Sequence, residues 1–239
     1  MRFPSVTILE TSSLCNRACP TCIRNSNPDR ESVQSWFEHN LMPMRTIKEF
    51  ARQYHEQGFS SKVCLCYYNE PLLDPRIVGI AEYLKASGIQ YLYLVTNGDH
   101  LTEYMAKRLD GVLDRITVSL YYDRDSRKNK KAQMRSLFKK TKVWIKGQHM
   151  DTHFNPGAIP LNDQPCKQQR VSTRLIINHK GEYCLCCDDL TGLFDLGTFP
   201  ETSLKEYWFG EKHTSLVHDL QIPGGRNKYP YCSTCPRVW

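Results

Sequence analysis

Residues 10–22 read ETSSLCNRACPTC and set Cys15, Cys19 and Cys22 four and three positions apart. The segment before them, SVTILET at residues 5–11, is rich in β-branched residues and has the look of a strand. Three thiols therefore sit in a loop directly after the first strand, close enough in sequence to converge on one point. Iron–sulfur clusters are held by cysteine thiolates, usually four of them. Three in one loop would leave one iron open, as a catalytic centre requires and a structural one avoids.

Outward from that loop the chain alternates strand-like and helix-like segments. A helix is expected over about 44–57, where Ile47, Phe50, Ala51 and Tyr54 share one face and Gly58 ends it. The strand KVCLCYY (62–68) follows, then a helix from about Pro75 to Ala86 closed by Gly88, then the strand YLYLVTNG (91–98). Leu101, Met105 and Leu109 recur as a helix stripe, and RITVSL (115–120) and KVWIK (142–146) are further strands. Consecutive strand–helix units imply a parallel sheet with right-handed crossovers, whose carboxyl ends open on one side and bind ligands there.

Composition excludes extreme architectures. The 239 residues are 40% apolar and 24% charged, and no apolar run approaches the ~20 residues of a membrane span. The start, MRFPSVTILE, lacks the apolar core and cleavage site of a secretory signal, so a cytoplasmic protein is expected. In that reducing compartment eleven cysteines, an odd number, are not expected to form a disulfide framework, and the clustered ones are read as metal ligands. The net charge of +7 is concentrated in residues 124–146, where ten Lys or Arg face the single Asp125. Such a run suits an anionic partner or RNA, but Met134, Leu137 and Phe138 make it an amphipathic helix with a solvated face, and nucleic acid is not expected.

Residues 147–165, GQHMDTHFNPGAIPLNDQP, have three prolines, two glycines and no periodicity. The domain boundary falls there: residues 1–147 form the first domain, 148–165 a connector and 166–239 a tail domain. His149 and His153 in the connector are read as surface loop residues. In the tail, RLIINHKGEYCL (174–185) has the pattern of a β-hairpin and SLKEYWFGEKHTSLVHDL (203–220) that of a helix. On a strand Cys184 and Cys186 point to one face and Cys187 to the other. Cys64 and Cys66, alternating on their strand, are read as buried core thiols.

The spacing C-x-x-x-C-x-x-C after a first strand resembles the signature of the radical S-adenosylmethionine (SAM) superfamily. The resemblance implies an α/β fold, a partial (β/α) barrel, and a [4Fe-4S] cluster on Cys15, Cys19 and Cys22 whose open iron is chelated by SAM. Electron transfer from that cluster cleaves SAM to a 5′-deoxyadenosyl radical. Tyr68, Asn69, Glu70 and Pro71 are similar to the family's G-G-E-P segment at the methionyl amino group, with both glycines replaced and Glu70 kept as an acceptor for an ammonium group. Thr96 and Asn97, before Gly98, resemble the ribose-contacting segment, with Ser119 a further candidate. Thr21 stands where the family has an aromatic residue, which implies a backbone contact to adenine.

The tail resembles the SPASM domain in its shortened twitch form, a small β-hairpin plus helix that binds one auxiliary [4Fe-4S] cluster. The family pattern puts a ligand five residues after the hairpin glycine, here Gly181. This implies Cys166, Cys186, Cys232 and Cys235, with Cys184 as the rival of Cys186. Zinc on the same thiolates is the alternative at either group.

Among family members the chain is most similar to the twitch-domain dehydrogenases of aminoglycoside biosynthesis, of the deoxy-scyllo-inosamine dehydrogenase type. That implies oxidation of a small-molecule alcohol with the auxiliary cluster as electron acceptor, and a reductant such as flavodoxin or ferredoxin. The alternatives are a maturase acting on a ribosomally made peptide, disfavoured by the absence of an N-terminal peptide-recognition domain, and a non-catalytic electron-transfer protein.

Overall fold

The computed structural model describes residues 1–19, 22–26, 37–120, 124–147, 164–166, 170–189, 193–233 and 235. Thr21, His149 and His153 lie outside them, as does most of the connector. The strands are β1 (Val6–Leu9), β2 (Lys62–Cys64), β3 (Leu92–Thr96), β4 (Arg115–Leu120), β5 (Lys142–Gly147), β6 (Arg174–Ile177) and β7 (Tyr183–Cys184). The helices are α1 (Ile23–Ser26), α2 (Met44–Glu56), α3 (Ile77–Ala86), α4 (Glu103–Leu109), α5 (Arg124–Ser136), α6 (Arg170–Thr173), α7 (Leu204–Phe209), α8 (Glu211–Gln221) and α9 (Pro230–Ser233).

The strands form one sheet in the order β5-β4-β3-β2-β1-β6-β7. Every pair is parallel except the β6–β7 hairpin. The expected α/β architecture is present, and the tail's hairpin continues the same sheet, because β6 pairs with β1 from Val6↔Arg174 to Leu9↔Ile177. Alternation gives the sheet two faces. Leu9, Val63, Leu94, Ile116 and Ile177 join the core beneath the helices. Ile8, Cys64, Tyr93, Ile176 and Cys184 form a second apolar cluster.

Local signals account for the helix boundaries. Ile47, Phe50, Ala51 and Tyr54 of α2 are buried, and the chain leaves the helix at Gly58, whose φ of +76° suits a residue without Cβ. In α5 the basic residues are carried on an element whose Met134 is buried, with Phe138 buried just beyond it, so the run is an amphipathic helix. Two expectations are corrected. The strand at 62–68 ends at Cys64, because Tyr68 N donates to Glu10 Oε1 and Tyr67 N to Asn69 Oδ1 instead of to a ladder. The single helix expected at 203–220 is two, broken at Gly210, where a Cβ would lie 2.3 Å from Glu206 O.

Candidate active site and auxiliary cysteine cluster

The carboxyl ends of β1 to β4 deliver their loops to one edge of the sheet. There a cavity of about 320 Å³ is lined by Cys15, Cys19, Cys22, Asn69, Glu70 and Asn97, among others, with Thr96 and Ser119 also on its wall. That volume is in the range of small-molecule sites. All the described residues assigned to SAM and its cluster from the sequence thus meet in one place.

The cysteine loop is held from both sides. Arg17 makes a bidentate pair with Asp99, at 2.6 Å on each arm, and Asn16 Nδ2 donates to the same carboxylate at 3.0 Å. Asn97 Nδ2 donates to Asn16 Oδ1 at 2.9 Å. Arg24, buried, donates to Ser13 O at 2.6 Å and lies over the Phe37 ring. Burial, above all, pushes the Cys19 and Cys22 thiols up from their ordinary value, and the neighbouring Cys15 adds to it. Without metal these thiols are protonated at neutral pH, so loading must release protons.

Glu70, on the cavity wall, is also bonded to its own chain. Its carboxylate is 2% exposed and already accepts three hydrogen bonds. Oε1 receives Thr96 Oγ1 at 2.5 Å and Leu72 N at 3.1 Å, and Oε2 receives Asn97 N at 2.7 Å. Burial nonetheless holds its pKa above the usual carboxylate value, against the pull of those donors. Glu70 therefore clamps the loop after β2 to the end of β3. Beside it, Asn69 is buried with Oδ1 occupied by Tyr67 N, while its Nδ2 has no hydrogen-bond partner among the described residues.

Some residues of this edge were not singled out in the sequence. Glu10, fully buried at the end of β1, accepts from Tyr68 N at 2.9 Å and through Oε2 from the backbone N and Nδ1 of His179 at 3.1 and 2.8 Å. It ties together the ends of β1, β2 and β6. A lone acid closing the apolar run VTIL was the available signal. Cys66, read as core, instead lies on the cavity wall, because β2 has ended before it.

A second, apolar cavity of about 30 Å³ is lined by Cys166, Cys186, Cys232 and Cys235. Cys184 does not line it; it is buried against Ile8, Cys64 and Ile176 in the second apolar cluster. Burial, then Cys235 and Cys166, push the Cys232 thiol up to about 12, while burial and Asp188 raise Cys186 well above its ordinary value. Among the described residues no three of His, Cys, Asp and Glu gather tightly enough to grip a single metal ion. The donor set is four soft thiols around an apolar cavity, a chemistry that fits an iron–sulfur cluster.

Residues 9–142 match the radical SAM superfamily and residues 166–236 the SPASM iron–sulfur cluster-binding domain. The chain belongs to the radical SAM superfamily. It is accordingly a radical SAM enzyme whose cofactors are SAM, one [4Fe-4S] cluster and, in the SPASM part, auxiliary iron–sulfur. Solved structures with the same fold include BtrN in complex with AdoMet and 2-DOIA, at 23% identity and TM-score 0.77, over 99% of this chain and 94% of that one. Native anSMEcpe with bound AdoMet aligns at 14% identity and TM-score 0.64, over 97% and 89%. SuiB of Streptococcus suis bound to precursor peptide SuiA aligns at 12% and 0.51, over 98% and 76%. No curated protein matches the sequence. No helix among the described residues is long and apolar enough to cross a membrane.

Proposed function

We propose that the chain oxidises a secondary alcohol of a small polar molecule by hydrogen abstraction, drawing electrons from a flavodoxin- or ferredoxin-type reductant. When bound, the reduced cluster and SAM would supply a 5′-deoxyadenosyl radical that takes the carbinol C–H hydrogen, the carbinol radical becoming the ketone by loss of one electron to the auxiliary cluster and of its hydroxyl proton to solvent. Cys15, Cys19 and Cys22 would hold the cluster that binds SAM. Asn69 offers its unpartnered Nδ2 to the polar end of SAM, while Glu70 keeps Thr96 and the Asn97 backbone in register beside it. Asn97 and Ser119 line the part of the wall assigned to the ribose, and Thr21 is assigned the adenine by its backbone. Cys166, Cys186, Cys232 and Cys235 hold the auxiliary cluster in the domain after the 148–165 connector.

One observation carries the oxidative reading. Tyr67 lies on the wall of the first cavity, and its hydroxyl donates to Cys186 O, on the wall of the second, at 2.8 Å. A fully thiolate-ligated cluster has no open iron for a substrate and acts only by exchanging electrons. The likeness to BtrN supports a small aminocyclitol-like substrate such as 2-DOIA. Reconstituted, dithionite-reduced protein is expected to form 5′-deoxyadenosine from SAM, and, with the right alcohol, one ketone per deoxyadenosine. A peptide substrate, as the likeness to SuiB suggests, would give a modified peptide instead. No deoxyadenosine with any substrate class would refute the proposal.

A further inference from the structure

Between the two cavities runs the turn Cys186–Asp189, closed by Asp189 N donating to Cys186 O at 3.2 Å. Its four carbonyls are held by three tyrosine hydroxyls: the single Tyr67 proton is shared between Cys186 O, at 2.8 Å, and Asp189 O, Tyr68 donates to Cys187 O, and Tyr231 donates to Asp188 O. The Tyr67 and Tyr68 rings are in edge contact, with centroids 4.4 Å apart. Asp189 anchors the turn to its flanks through Leu185 N at 2.7 Å and Leu193 N at 2.9 Å.

With its carbonyls held on the tyrosine side, the turn directs the Asp188 N–H toward Cys186 Sγ, at 3.4 Å. Hydrogen bonds to cluster sulfurs are among the factors that set an iron–sulfur potential. A donor aimed at a ligand sulfur stabilises the more negative, reduced cluster and so raises that potential. We propose that Tyr67, Tyr68 and Tyr231 are positioning residues that hold this turn with its Asp188 N–H on the Cys186 sulfur, and so set the reduction potential of the auxiliary cluster. The inference rests on the reading of Cys186 as a ligand. Because Tyr67 and Tyr68 also line the SAM cavity, the same side chains join the electron acceptor to the site where the substrate is oxidised.

The test uses the full chain with Cys15, Cys19 and Cys22 changed to alanine, so that the remaining iron is auxiliary, and follows its EPR signal through a redox titration. Y67F and Y231F are expected to keep four irons, within ~10%, and to shift the one-electron reduction equilibrium at least tenfold toward the oxidised form, a fall of about 59 mV. Y54F removes a hydroxyl that donates to Ser61 O, away from both cavities, and is expected to leave the potential unchanged. If Y67F loses iron, Y231F, whose side chain lies outside the SAM cavity, carries the comparison. Full iron at the wild-type potential in both variants overturns the proposal. Retention of iron in C186S, in the same background, would instead overturn the ligand assignment beneath it.

Discussion

The Glu70 clamp lends itself to a quantitative test. In E70Q the amide oxygen can replace Oε1 and keep Thr96 Oγ1 and Leu72 N, but the amide NH₂ then faces Asn97 N, now bound at 2.7 Å, with no acceptor between them. Losing a hydrogen bond to a charged acceptor costs about 1.5–3 kcal/mol. Removing a buried charge, which already holds the Glu70 pKa above its ordinary value, gives part of that back. The side chain is 2% exposed, so solvent does not dilute either effect. A net loss of about 2 kcal/mol corresponds to about 4–8 °C in Tm for a chain of this size. Urea unfolding of the metal-free protein, followed by circular dichroism, measures the first figure. SAM affinity of the reconstituted protein should fall with it, because Asn97 and Thr96 lose their common anchor. Stability within about 0.5 kcal/mol of wild type, with unchanged SAM binding, would show that Glu70 does not act as this clamp.

Three further outcomes are expected. C186S should lower iron from about eight to about four per chain, whereas C184S should leave about eight, read by iron and sulfide analysis. N69D keeps an acceptor for Tyr67 N but puts a buried carboxylate in place of the unpartnered donor, so SAM should bind about tenfold more weakly by equilibrium dialysis, with circular dichroism checking that the fold is retained. His213 is buried between Trp208 O and Val171 O, and burial outweighs those carbonyls to lower its pKa from 6.5. The folded state resists its protonation while the unfolded state accepts it, so this group costs no stability above about pH 6.5 and an increasing amount below it. Urea midpoints at about pH 7.5 and 5.5 should therefore diverge less in H213Q than in wild type; an identical pH slope would exclude the effect.

Much of the molecule was legible in the sequence because its signals are local. Apolar periods defined α2 to α4, β-branched runs defined the strands, and the spacing of Cys15, Cys19 and Cys22 fixed the metal loop. A strand's carboxyl end and the loop after it are neighbours in the chain, so the order of elements alone brings Asn69, Glu70, Thr96, Asn97 and Ser119 to one edge of the sheet. Where side-chain partners come from distant segments, that reasoning stops. The motif assigns Glu70 to a ligand, and no local spacing records that Leu72 N, Thr96 Oγ1 and Asn97 N also bond its carboxylate.

The sequence by itself determined the order of elements, the parallel sheet and the grouping of Cys15, Cys19 and Cys22 in one loop, since each follows from spacing along the chain. Only the tertiary structure decided that the tail hairpin pairs with β1, that Glu10 is buried between three strand ends, and that Cys186 rather than Cys184 lines the second cavity. Val6 and Arg174 are far apart in the chain, and no local period records which strand edge β6 will choose. Once β6 lies beside β1, Cys184 is sealed under Ile8 and Cys64, and the turn that follows it carries Cys186 around to the other cysteines.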